Sequence, residues 1–350
     1  MKIIENTEKN PLISVIITLF AHKNTLNEAL DSILQQTFQN FEIVLVENNA
    51  DKSLVEIAMS YISIHPDKIR IVSEPVQGIA SARTRGVIEA KGTFIAFCDE
   101  DDVMYPDKLE KQLHCMLNNP KYSIITSYVD FISPQSEIIE TDRVFEPQHW
   151  AIELFGKTEK FKKHPLYNPH PSTMFFSRSL ALEVGLFDEG FNPHGTEDTE
   201  FSLRMYEHGP IYLIHESLTK IRFHTSEYLK KREGEINWIS IENLNHFFHL
   251  LCIRYSRSFP RRSFLNIRAQ WLREISMLFF KVKNGRDYGR SLLKRSIQDR
   301  PWDLRTWKQY IRSFFPYKYY PKVFKFEINS AEKIPSHIDK KYLQGIFNEL

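Results

Sequence analysis

The chain has 350 residues and a mass of 41.4 kDa, with 42% hydrophobic residues, 26% charged residues and a formal net charge of +2. That length suits one large folded domain with a smaller one beside it, and its longest apolar runs, Leu12–Phe20 and Phe94–Cys98, fall short of the roughly 20 residues that span a bilayer. Met1–Asn6 carries acid and polar groups where a secretory leader has an apolar core, and Cys98, Cys115 and Cys252 are too widely spaced for a disulfide framework or a zinc site; a cytoplasmic location is expected.

Up to about residue 115 the pattern alternates strand and helix. Ile13–Thr18 reads as a buried strand and Thr25–Gln36 as a helix with Leu26, Ala29, Leu30, Ile33 and Leu34 on one face. Phe41–Val46 is a second strand, ending in the polar turn Glu47-Asn48-Asn49-Ala50-Asp51. A helix over Ser53–Ile64, a strand at Ile69–Ser73, a helix over Ile79–Ala90 and a strand at Phe94–Cys98 follow. Such alternation predicts a mostly parallel sheet covered on both faces. Ligands of such sheets bind beyond the carboxyl ends of the strands, where the turns after Thr18, Val46, Ser73 and Cys98 fall.

From Tyr122 to His224 the pattern is mixed. Tyr122–Tyr128, Ser172–Phe176, Ile211–Ile214 and Leu218–Phe223 read as strands extending or flanking the sheet. Around them lie a His- and Pro-rich loop, Lys163–Pro171, and a helix over Thr199–Glu207. After about Ser226 the character changes to long helical segments rich in Arg, Phe and Leu. The expected division is an α/β domain over 1–225 and a basic α-helical region over 226–350.

Asp99-Glu100-Asp101-Asp102 closes the apolar strand Phe94–Cys98. Adjacent carboxylates repel unless a cation or a set of donors neutralises them, and hard oxygen ligands suit Mg²⁺ or Mn²⁺. An acidic turn capping a helix that begins near Pro106 is the other reading. Thr196-Glu197-Asp198-Thr199-Glu200 likewise reads either as a set of functional carboxylates or as a helix start, where acids are favoured.

Taken in order, these motifs resemble family 2 glycosyltransferases of the GT-A fold, a Rossmann-like sandwich, over roughly residues 11–226. Pro11–Thr18 is similar to the opening strand, and Phe41–Asp51 to the strand and acidic turn that receive the nucleoside, although Glu47-Asn48-Asn49-Ala50 stands where Asp-Asp-Gly-Ser is usual. Gln77–Gly86 is similar to the Gly-x-x-x-Ala-Arg-Asn-x-Gly segment, with Thr84 in place of Asn. Asp99–Asp102 matches the Asp-x-Asp motif, Gly185–Glu189 with Thr196–Asp198 the acceptor loop and Glu-Asp motif, and Ile221–His224 the closing Arg-x-His.

The resemblance implies a nucleotide-diphosphate sugar donor and a glycan or lipid-linked glycan acceptor. It implies a donor site of Thr18, Phe20, Glu47, Asn48, Arg83, Asp99, Glu100 and Asp101. It also implies a divalent Mn²⁺ or Mg²⁺ held by Asp101, with Asp99 on the ribose or the ion and His224 on the metal or the phosphate. Asp198 is then the general base of an inverting transfer, because a hydroxyl is too weak an acid to ionise unaided. Glu197 positions Asp198 or binds acceptor hydroxyls, and His194 and Gly195 form a loop able to close. Phe145, Trp150, Tyr167 and Phe191 either stack on an acceptor sugar or belong to the core.

Two other functions compete. A phosphatase of the haloacid dehalogenase type would use Asp99 as nucleophile, but such motifs sit on the first strand of that fold and need a later Gly-Asp-x-x-x-Asp pair that is missing here. A sugar-nucleotide or glycan binding module would have no use for Asp198. Between Arg254 and Lys325 basic residues exceed acidic ones by about fifteen. That face is read as lying on an anionic membrane surface, as the outside of a solvated bundle or, least favoured, as a nucleic-acid contact.

Overall fold

The structure is a computed structural model and describes residues 10–22, 24–193, 195–223, 238–280, 285–314, 345, 347 and 348. Strands β1 (Ile13–Leu19), β2 (Phe41–Glu47), β3 (Ile69–Ser73) and β4 (Phe94–Phe97) alternate with helices α1 (Leu26–Leu34), α2 (Lys52–Ile64) and α3 (Ile79–Glu89). Every residue of β1 is buried, which is why its sequence is a continuous apolar run rather than an alternation. β1 pairs in parallel with β2 on one side and with β4 on the other, Ile13 standing opposite both Phe41 and Phe94. The strand order therefore reverses between β1 and β4, the place beyond whose carboxyl ends sheets of this kind bind ligands. Helix α3 approaches β1 closely at Gly86, where a Cβ would lie 2.4 Å from Ile16 Cγ2.

Five more strands complete a nine-stranded sheet among the described residues. β5 (Val103–Met104), β6 (Ile124–Ile132), β8 (Phe175–Ser177) and β9 (Ile211–Arg222) extend the order to β3-β2-β1-β4-β8-β6-β9-β5, and β7 (Ile138–Arg143) forms a hairpin with β6. β8 is antiparallel to β4 and β6, whereas β6 and β9 are parallel. The pieces expected at Ile211–Ile214 and Leu218–Phe223 are thus one strand, whose register against β6 shifts on either side of Tyr128. The strand expected from Ser172 starts only at Phe175, after a 3₁₀ turn over Pro171–Thr173. Helices α4 (Lys108–Asn118), α6 (Glu159–Lys163), α7 (Arg178–Val184) and α8 (Glu197–His208) belong to the same unit. An aromatic cluster anchors α8: Phe201 stacks on Phe187 at 4.4 Å and tilts against Phe176 at 5.3 Å, and Phe97 meets both of those rings.

The chain divides into two compact units, one of residues 1–148 and 156–224, the other of 149–155 and 225–350. The second contains α5 (His149–Phe155), α9 (Trp238–Tyr255), α10 (Arg261–Phe279), α11 (Arg286–Asp299) and α12 (Leu304–Arg312). Buried Leu272, Ile275 and Phe279 of α10 and Leu292 and Leu293 of α11 make its core. Arg268 pairs with Asp299 at 2.6 Å, and Arg273 pairs with Asp303. No helix among the described residues is long and apolar enough to cross a membrane.

Candidate active site

The turn after β4 stands at the β1/β4 switch. There Asp99 Oδ1 lies 3.2 Å from Arg83 Nη2, and Arg83 Nη1 donates to Glu197 Oε1. Arg83 is buried on α3, and its Nε–H has no hydrogen-bond partner. Burial alone would lower its pKa, but the charges of Asp99, Glu197 and Asp198 raise it, so the guanidinium is held charged. The structure thus brings three sequence-predicted segments together around one cation.

Asp198 sits beside this cluster in the first turn of α8. Burial, followed by the neighbouring Glu197 charge, raises its pKa to about 6, while Arg83 and the Thr199 hydrogen bonds pull the other way. Thr199 N donates to Asp198 Oδ1 at 2.6 Å, and Gly195 N to Glu197 Oε2 at 3.1 Å. Thr196 occupies the N-cap position in the left-handed region at φ +57°, and its side chain makes no capping bond. A helix start and a functional pair of carboxylates therefore coincide in one turn. The preceding loop is tied to α3: Asn192 Oδ1 accepts from Ala80 N at 3.2 Å, and Pro193 O from Ile79 N at 3.0 Å. Gly78 is needed at this junction, because its φ is +149° and a Cβ would lie 2.0 Å from Asn192 Oδ1.

The four acids after β4 point to different tasks. Glu100 is buried and its carboxylate accepts from the backbone N–H groups of Phe20, Ala21 and His22 at 2.8–2.9 Å. Burial nonetheless leaves its pKa raised against those three donors. Asp102 is buried below the turn, where Oδ2 accepts from Ser172 Oγ at 2.5 Å and Oδ1 from Arg222 N at 3.0 Å. Burial, reinforced by the charges of Asp101 and Asp99, pushes its pKa well up. Asp101 is half-buried, and its carbonyl accepts from Arg222 Nε at 2.9 Å. Arg222 also reaches Glu28 and the carbonyls of Ser133 and Pro134, so one side chain fastens the acidic turn to α1 and to the β6–β7 hairpin.

His170 had no part in the sequence reading of the site, yet it stands between two of these acids. Its Nε2 is 3.9 Å from Asp99 Oδ2 and its Nδ1 3.8 Å from Asp102 Oδ2. Burial lowers its pKa, which favours the neutral ring. Ligand atoms of Asp99, Asp102 and His170 all lie within 4.8 Å of one another. Two carboxylates and an imidazole suit Mn²⁺ or Mg²⁺, so this corner fits a divalent ion. The only sequence signal for His170 is its place in the His- and Pro-rich loop that immediately precedes buried Ser172 and Thr173. His224 and His194 lie outside the described residues.

Of the other sequence-predicted residues, Thr18 is buried at the end of β1, and Phe20 is exposed. Asn48 donates to Glu74 O and Val76 O at 2.7 Å and accepts from Gly78 N at 2.8 Å, so it holds the loop into α3. Glu47 accepts from Ser73 Oγ at 2.9 Å and from Ala50 N at 3.0 Å. Thr84 ties its hydroxyl to both backbone groups of Phe187. Of the four aromatics considered for an acceptor, Phe191 and Trp150 are buried, Tyr167 is half-buried, and Phe145 stacks on His170 at 5.7 Å.

Known proteins share both the sequence pattern and the architecture. The family model described as glycosyl transferase family 2 matches residues 14–185. An uncharacterized glycosyltransferase of Methanocaldococcus jannaschii is 32% identical over 243 residues, 69% of this chain and 78% of the relative. An uncharacterized glycosyltransferase of Rickettsia prowazekii is 30% identical over 222 residues, 62% of this chain, and the match spans 66% of that relative's length. Among solved structures, S. aureus TarS 1-349 in complex with UDP-GlcNAc superposes with a TM-score of 0.59 at 17% identity, covering 82% of this chain and 81% of TarS. GalNAc-T7 with UDP, GalNAc and Mn²⁺ gives a TM-score of 0.52 at 18% identity over 61% of this chain and 43% of its own. These structural likenesses are of fold, the GT-A arrangement, and with the sequence matches they show that the chain belongs to glycosyl transferase family 2.

Proposed function

We propose that the protein is an inverting, metal-dependent glycosyltransferase that moves a sugar from a nucleoside diphosphate to a glycan or lipid-linked glycan hydroxyl, in the building of cell-surface polysaccharide. Residues 1–225 form the catalytic domain in this reading, and 226–350 a helical region that keeps the cytoplasmic enzyme at the inner membrane face. The observation that carries the reading is the convergence of Asp99, Glu197 and Asp198 on buried Arg83 at the sheet's switch point.

In the transfer, the acceptor oxygen forms a bond to the anomeric carbon as the bond to the diphosphate oxygen breaks. The acceptor proton passes to Asp198, whose pKa near 6 leaves it ionised at neutral pH yet more basic than an ordinary carboxylate. Glu197 is held by Arg83 and Gly195 N, so it orients the base or binds a second acceptor hydroxyl. Attack opposite the leaving group inverts the anomeric centre. A divalent ion would be held by Asp101 and Asp99, with His170 and Asp102 beside them, and would neutralise the diphosphate charge. Glu100 sets the backbone of Phe20–His22 at the mouth of β1, and Asn48 sets the loop into α3. Support for a nucleotide donor comes from the fold shared with TarS in complex with UDP-GlcNAc and with GalNAc-T7, whose structure holds UDP and Mn²⁺.

The test is a thermal-shift and turnover screen of the purified chain with Mn²⁺ against a panel of nucleotide sugars, UDP sugars first. Stabilisation by a donor together with its slow hydrolysis supports the transferase. Stabilisation without turnover under any condition favours a binding module, and no response to any donor defeats both.

A further inference from the structure

Helix α12 is built inside out. Thr306, at 1% exposure, and Ser313, at 4%, face inward, whereas Leu304 is 79% exposed and Ile311 55%. Trp307 and Phe314 are exposed as well, and the spacing 304, 307, 311, 314 puts all four apolar side chains on one stripe. Polar bonds hold the inner side: Asp303 caps the helix through Arg305 N and accepts from Thr306 Oγ1, and Arg290 Nη2 donates to Ser313 O at 2.7 Å. The inversion is therefore a fixed feature of the second unit rather than a helix waiting to roll over.

We propose that this stripe is a membrane-docking surface that inserts into the interface of an anionic bilayer. Arg305, Lys308 and Arg312 border it on the helix. Arg262 lies over the exposed Trp302 ring at 4.8 Å and Arg290 over the Phe314 ring at 4.4 Å, so cations frame both ends. An apolar stripe with a basic frame matches acyl chains under anionic headgroups. Other occupants match less well. A second copy would bring the same basic frame against this one. The chain's own 315–326 carries Lys318, Lys322 and Lys325 and no acid, so its charge repeats that of the frame. Nucleic acid offers phosphates but nothing for Leu304 and Ile311 to bury against. The proposal deepens the peripheral location given above and is independent of the chemistry of transfer.

Flotation of the full chain with phosphatidylcholine vesicles, with and without phosphatidylglycerol, tests it. Binding is expected only with the anionic lipid and is expected to weaken at high salt. Leu304→Glu combined with Ile311→Glu should lower that binding by roughly tenfold or more, with unchanged thermal melting and unchanged stabilisation by donor. Arg305→Glu with Lys308→Glu should remove the salt-sensitive part. Failure of the native chain to float with anionic vesicles at low salt overturns the proposal, as does equal binding by the Leu304/Ile311 variant. A variant that loses stability or changes oligomeric state while vesicle binding persists assigns the stripe to an internal or self contact, and also overturns it. Vesicle binding without any donor response would leave this surface standing and remove the transferase reading; the converse result would do the reverse.

Discussion

Asp99 and Glu197 share the two terminal nitrogens of the Arg83 guanidinium, which joins the turn after the fourth strand to the first turn of the helix that carries Asp198. Side-chain exposure is 5% for both Arg83 and Glu197, so neither has bulk water to replace the other. The turn after β4 and the first turn of α8 are coupled through one buried cation.

Arg83→Gln leaves these carboxylates without their counter-charge. A loss of about 3 kcal/mol in stability at neutral pH is expected, since a buried pair is broken from one side. The sign of the pH dependence follows from neighbouring Asp198, whose pKa Arg83 pulls down: without the cation that pKa rises further, the acid protonates more readily, and the loss shrinks as pH is lowered. Denaturant melts at pH 5 and pH 8 check it, and a deficit of equal size at both would show that Arg83 acts through packing.

Transfer should depend on pH through Asp198. Its pKa is raised to about 6, so the base form is lost as pH falls through that value and the rate declines about tenfold per unit below it. In Arg83→Lys the cation is retained and the acid limb stays near its native position. In Arg83→Gln the limb moves to higher pH. A pH–rate profile of kcat/KM reads both, and a profile flat through pH 5 removes the base assignment.

Chelation should abolish transfer and Mn²⁺ should restore it. Asp101→Asn and Asp99→Asn are expected to remove metal-dependent donor binding. His170→Ala is expected to raise the Mn²⁺ needed for half-maximal activity by roughly 10- to 100-fold while leaving the maximum largely intact. Full activity of Asp101→Asn in the presence of chelator would contradict the metal-dependent reading.

Glu100→Ala should act on structure before chemistry. Three backbone N–H groups, of Phe20, Ala21 and His22, lose their acceptor, at a cost of about 2 to 4 kcal/mol. Hydrogen exchange at these amides should accelerate more than at those of β2. Unchanged protection there would show that other acceptors replace the carboxylate.

The parallel half of the sheet was legible because β1 is buried throughout, β2 is buried up to Val46, and α1 carries a clean apolar stripe. β5 is only Val103–Met104, and all six residues of β7 are exposed, so neither leaves a hydrophobic signature. α5 groups with the second unit, and no shift in composition marks that. Within the site, ordered motifs located Arg83, Asp99, Glu197 and Asp198. Four adjacent acids carry no direction in one dimension, so the inward turn of Glu100 onto backbone and of Asp102 onto Ser172 could not be read. His170 was hidden for a related reason: its partners lie far off in sequence, and only the antiparallel insertion of β8 beside β4 brings it to them. Thr84, which departs from the usual Asn, turns out to hold the Phe187 backbone.

Asp198→Asn, assayed for donor binding and for transfer on the same preparation, tests the role of Asp198 as base most directly. Donor affinity is expected within about twofold of the native chain and transfer is expected to fall to background. Native product from the remaining activity should show inversion at the anomeric carbon by NMR. Undiminished transfer by Asp198→Asn, or retention of configuration in the native product, would contradict that role.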